Sequence, residues 1–183
     1  VTSVTVEWQI VEFSSANVQS GLTTINAAST NATAAISAVN LAKTFLFFSY
    51  NGGVGISGAE TDLYTRGTFS NSTTVSFNRI GTSSTVDISW FAVEMPDVNV
   101  QKGTTTMVGG SGTSVTAALG PAVNTGKTMI VWSNDTQTGN SAISTADSGT
   151  YSSQFLNTTT IQFDRFNDEA NSANLDWFTI EFQ

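Results

Sequence analysis

VDISWFAVEM, residues 86–95, is the stretch on which the fold turns. Val86, Ile88, Trp90 and Ala92 alternate with Asp87 and Ser89, the period of a strand buried on one face. The stretch returns as NLDWFTIEF at 174–182 and stands, before either, as VTVEWQIVEF at 4–13. Each copy holds a tryptophan followed four residues later by a glutamate: Trp8 and Glu12, Trp90 and Glu94, Trp177 and Glu181. Outward from these strands the chain repeats twice, not three times. VQSGLTTI (18–25) matches VQKGTTTM (100–107), and AVNLAKTFLFFSYN (38–51) matches AVNTGKTMIVWSN (122–134). FSNSTTVSFNR (69–79) matches FLNTTTIQFDR (155–165). The order is therefore tryptophan strand, body, tryptophan strand, body, tryptophan strand.

Each body reads as all-β. Residues 45–48 and 129–132 are short apolar runs of the kind found in strands buried on both faces. Val75, Phe77 and Arg79 alternate with Thr74, Ser76 and Asn78 as a half-buried strand. Residues 27–43, rich in Ala and Ser, offer the one plausible helical turn. The pattern predicts two tandem homologous β-sandwich domains, 16–95 and 96–183, preceded by an extra N-terminal strand within 1–15. Trp90 and Trp177 are expected at matching positions in the two cores.

If each body pairs with the tryptophan strand that ends it, residues 4–13 have no body of their own. Burying Val4, Val6, Trp8 and Ile10 would contribute roughly 6–12 kcal/mol before entropy costs. Left wet, the same face would be an unpaired apolar edge. Donation to a groove in another copy is the expected solution, with Trp8 as anchor and Val4, Val6 and Ile10 in neighbouring pockets. A duller reading makes residues 4–13 the closing strand of a preceding body in a longer array.

Composition bounds the function. In 183 residues, 39% are hydrophobic and only 11% charged, with Ser, Thr, Asn and Gly making up the difference. A net charge of −8 and six unclustered basic residues exclude a polyanionic partner, so nucleic acid is not expected. No run of 18 apolar residues is present, so no membrane span is expected. The chain starts at Val1 within a strand-like pattern and without an initiating Met, which reads as a mature or observed portion of a longer precursor. The polar composition points to an extracellular or cell-surface location.

Two resemblances follow from these residues. The leading strand 4–13 ahead of complete β repeats resembles the organisation of donor-strand-exchanged bacterial pilus and fibril subunits, whose sandwiches are immunoglobulin-like. It implies a head-to-tail, non-closing contact between copies. Val18-Gln19-Ser20-Gly21 and Ile88-Ser89-Trp90 with Glu94 resemble the opening and closing motifs of H-type lectins, six-stranded sandwiches that bind sugars. Val100-Gln101-Lys102-Gly103 and Leu175-Asp176-Trp177 with Glu181 repeat them. That family's sugar-binding histidine has no counterpart here. Arg79 stands near its position, so the resemblance makes Arg79 and its repeat mate Arg165 candidate ligand contacts.

With no His and no Cys, the common nucleophile–base pairs and most zinc sites are absent, and neither enzymatic activity nor a cofactor is expected. The acidic turn at 164–169 fits no calcium-loop spacing, so no metal is expected. Glycosylation sequons at Asn31, Asn71, Asn134 and Asn157 and the lectin resemblance leave glycans as partners beside other copies of the chain. The leading expectation is a structural subunit of an extracellular, pilus-like fibril. The alternative is an H-type-lectin-like module of an adhesin or phage fibre.

Overall fold

The computed structural model describes residues 10, 12, 13, 15–52, 63–136, 150–167 and 170–183. Among them there is no helix. The first six strands are β1 (Asn17–Ile25), β2 (Asn31–Ala35), β3 (Thr44–Gly52), β4 (Arg66–Asn71), β5 (Thr74–Asn78) and β6 (Val86–Glu94). The last six are β7 (Val98–Met107), β8 (Ser114–Ala118), β9 (Thr128–Thr136), β10 (Tyr151–Asn157), β11 (Thr160–Arg165) and β12 (Ala173–Phe182). They form four antiparallel three-stranded sheets in a β-sandwich-like arrangement: β1-β6-β3, β2-β5-β4, β7-β12-β9 and β10-β11-β8. The second six strands are thus wired in the order of the first.

The tryptophan strand is the centre of its sheet, not its edge. Trp90 lies opposite Gly21 on β1 and Phe48 on β3, and Trp177 opposite Gly103 on β7 and Trp132 on β9. Both rings are buried. Val86, Ile88 and Ala92 share the inner face with Trp90 and pack with Val75, Phe77 and Phe69 of the facing sheet. Leu175, Ile161, Phe163 and Met107 surround Trp177 in a second core.

Residues 27–43 form no helix. Asn31–Ala35 is strand β2, paired along its length with β5. Ala32 and Ala34 pack on the core from this strand, so burial of alternate methyls overrides the helical propensity of alanine. The run 129–132 is less covered than expected, with Met129 exposed on edge strand β9, whereas Phe45 and Leu46 are buried. The β4–β5 and β10–β11 hairpins close alike. Asn71 Oδ1 accepts from the Thr73 amide and hydroxyl, and Asn157 Oδ1 from those of Thr159, the turn chemistry of asparagine.

Glycine at 21 and 103 is dictated by the tryptophan opposite. A Cβ there would stand 2.6 Å and 2.5 Å from Cζ2 of Trp90 and Trp177. Gly103→Ala is therefore expected to displace the indole and cost about 1–3 kcal/mol. That corresponds to a Tm roughly 2–12 °C lower for a chain of this size, measurable by circular dichroism. An unchanged Tm would show that the ring is not held by this contact.

Candidate functional site

The two tryptophan strands define a repeated socket. Trp90 Nε1 donates to Thr23 Oγ1 at 2.9 Å, and Trp177 Nε1 to Thr105 Oγ1 at 3.0 Å. Glu94 Oε1 accepts from the Asn40 amide and Glu181 Oε1 from the Asn124 amide, both at 2.7 Å. The Met95 and Phe182 amides donate to the carbonyls of Lys43 and Lys127. A tryptophan strand therefore needs a glycine and a threonine on one neighbour and the amide of an Ala-Val-Asn turn leading into the other. The recurring glutamate caps that turn. Among the described residues each half supplies this set once, and Trp90 and Trp177 occupy both.

Residues 4–13 carry the matching groups, Trp8 and Glu12, but Val4, Val6 and Trp8 lie outside the described residues. Ile10 is 81% exposed and Phe13 packs against the first core. The spacing from Trp8 to Gly21 equals that from Trp90 to Gly103.

Arg79 directly follows β5 and Arg165 ends β11, both facing inward, 2% and 4% exposed. The Arg79 guanidinium donates to the carbonyls of Asn26, Ser29 and Ser84. Arg165 donates to those of Val108, Gly112 and Asn171. Each arginine thereby ties two loops of its half together. Neither guanidinium is presented to solvent, so a sugar would have to displace loop carbonyls to reach it.

The third arrangement was not anticipated. The outer face of β7-β12-β9 lies on the side of the first half where β3 and β4 end their sheets. Phe178 and Ile180 join the first core from that face, and Phe178 meets Phe69 edge to face at 6.0 Å. The Gly67 amide donates to Ser133 Oγ at 3.1 Å, and Lys102 Nζ to the Phe69 carbonyl at 2.6 Å. Arg66 bridges Asp135 and Asp176, whose side chains are almost fully buried. Burial works against the guanidinium charge, yet the two carboxylates outweigh it and hold the Arg66 pKa above its ordinary value. Burial pushes the Lys102 ammonium down, partly offset by Asp176. Lys43 Nζ also holds the Val98 carbonyl at the start of β7. The sequence carried a signal for this seam: Arg66 has Ser152 as its repeat mate and Asp176 has Ser89, so charge appears where the halves differ.

A cleft of about 210 Å³ runs along the seam, with Phe48, Tyr50, Trp132 and Asn134 in its walls. Among the described residues that line it there is no carboxylate pair. Among the described residues no cluster of His, Cys, Asp or Glu could hold a metal, and no helix is long and apolar enough to cross a membrane. Of the sequon asparagines, Asn134 is buried and Asn31, Asn71 and Asn157 are exposed. Comparison of the chain with family models, with curated proteins and with solved structures found no match.

Proposed function

We propose that the chain is the structural subunit of an extracellular, pilus-like fibril, built from two homologous immunoglobulin-like or H-type-lectin-like sandwiches and joined to other copies through residues 4–13. The observation that carries this reading is the filled socket. Residues 4–13 hold the tryptophan and glutamate of a central strand, while both glycine–threonine sockets of the chain are taken by β6 and β12. The exposure of Ile10 supports a partner beyond its own half.

Exchange among identical copies leaves three tryptophan strands for two sockets. Donation to another copy therefore proceeds by addition at a sheet edge, and among the described residues β1, β3, β7 and β9 are each paired on one side only. Such a head-to-tail contact does not close on itself and generates filaments. Negative-stain microscopy of the purified chain, at concentrations from micromolar upward, is expected to show unbranched filaments. Uniform monomers across that range would sink the proposal. The lectin reading gains no comparable support, because the two arginines it rests on face inward.

A further inference from the structure

We propose that the outer face of β1-β6-β3 in one copy docks on the β9–β10 side of a second copy, repeating between molecules the seam that the two halves form within one. This rests on the fibril reading and names the second surface by which copies meet.

The pairing registers give the correspondence. Trp90 and Trp177 are matched, so Phe91 stands where Phe178 does and Ser89 where Asp176 does. Opposite them, Ser49 stands for Ser133. The next residue on the same face of β3 is Asn51, standing for Asp135. On the receiving side Gly67 and Ser153 both face the β5/β11 phenylalanines Phe77 and Phe163. Ser153 thus stands for Gly67, Phe155 for Phe69 and Ser152 for Arg66.

Transposed, the seam remains complementary. The Phe69–Phe178 contact becomes Phe155 against Phe91, aromatic on both sides. The bond from the Gly67 amide to Ser133 Oγ becomes one from the Ser153 amide to Ser49 Oγ. The triad of Arg66 with Asp135 and Asp176 becomes Ser152 with Asn51 and Ser89, so the triad's charges are lost on both surfaces together, while Asp87, standing for Asn174, accepts a hydrogen bond from Thr24 within its own sheet. Had only one side lost it, the other would bury unpaired charge, a severe penalty. Lys102 has the shorter Ser20 in its place, so its bond to the Phe69 carbonyl is not carried over.

Exposure points the same way. Phe178 is 2% exposed in the seam, whereas its mate Phe91 is 47% exposed and is flanked by Val18 and by Leu22 at 84%. On the receiving side Met129 and Leu156 are exposed and Phe155 is half-buried. An apolar face and an apolar edge are thus both left open, and the chain itself shows how such a pair fits. Because the face lies on the first half and the edge on the second, the contact is heterologous and propagates.

The absence of cysteine allows a direct test in the full-length chain. Ser49→Cys and Ser153→Cys are made as separate variants, mixed and oxidised. The mixture is expected to yield a disulfide joining peptides of different copies, identified by mass spectrometry, while neither variant alone yields one. Phe91→Asp is expected to weaken self-association in sedimentation by about tenfold or more with Tm unchanged, since Phe91 is half exposed in the single chain. Filaments that form with no Ser49–Ser153 cross-link and are indifferent to Phe91→Asp would overturn the docking face and leave the fibril reading intact. Cross-linking that persists after removal of residues 1–13 would support the face independently of strand donation.

Discussion

Arg79→Met is expected to lower the unfolding free energy by about 3 kcal/mol or more, and the Tm by roughly 6–12 °C. The side chain is among the largest fully buried ones in the protein, and its hydrogen bonds run to the Asn26, Ser29 and Ser84 carbonyls. Methionine fills much of the volume but donates to none of them, and each buried carbonyl left unpaired costs about 1–3 kcal/mol. The loop so clasped contains Ala28 at φ 67°, a conformation that its mate Gly110 adopts at the same angle without a Cβ penalty. Arg79→Met removes a clasp from a loop that already carries strain. Arg79→Lys should recover only part of the loss, because one ammonium cannot span carbonyls arranged for a fork. Ala28→Gly in the Arg79→Met background should recover about 1 kcal/mol. Chemical denaturation with linear extrapolation measures all three. If Arg79→Met stays within 0.5 kcal/mol of the parent, about the range of an ordinary surface substitution, the clasp is not structural and the arginine is free for another role.

Much of this architecture was legible because it is written in period two. Val86, Ile88, Trp90 and Ala92 alternate strictly, and the structure puts all four inside. Val75, Phe77 and Arg79 alternate as well, and the structure turns Arg79 inward with the other two, where the sequence had offered it as a ligand contact. What the pattern could not reveal was position within a sheet. An alternating strand looks the same at an edge and in the centre, so the central place of β6 and β12 appears only from their two partners. Strand β2 was obscured by its alanines, whose propensity says helix while their neighbours across β5 impose a strand. The seam was hidden for another reason. Phe178 and Ile180 lie on the face that alternation assigns to solvent, and only the packing of one half on the other buries them. Its trace was the set of positions where the repeats disagree in charge, Arg66 against Ser152 and Asp176 against Ser89, and a search for similarity passes over disagreement.

Removal of residues 1–13 is expected to abolish filaments and leave a folded, monodisperse protein. The expectation of folding rests on the sockets: Trp90 and Trp177 already have their glycine, threonine and capped turn, so neither core requires the leading strand. Loss of Phe13, which packs on the first core, should cost a few degrees of Tm at most. The expectation of lost assembly rests on the strand's own chemistry. Val4, Val6, Trp8 and Ile10 represent roughly 6–12 kcal/mol of apolar burial, far more than a surface hydrogen bond could replace. A peptide of residues 4–13 added to the full chain should compete for the same sheet edge and shorten filaments in proportion to its concentration. Trp8→Asp should do so from within the chain, since a buried unpaired carboxylate costs several kcal/mol and the strand's main anchor is gone. Hydrogen exchange provides the decisive readout. Amides of 4–13 should exchange quickly in dilute monomer and slowly in filaments. If they are protected in the monomer, the strand folds onto its own half and its donation to another copy is excluded. If the truncated chain still forms filaments, the link between copies lies elsewhere, and the apolar face around Phe91 becomes the surface on which assembly depends.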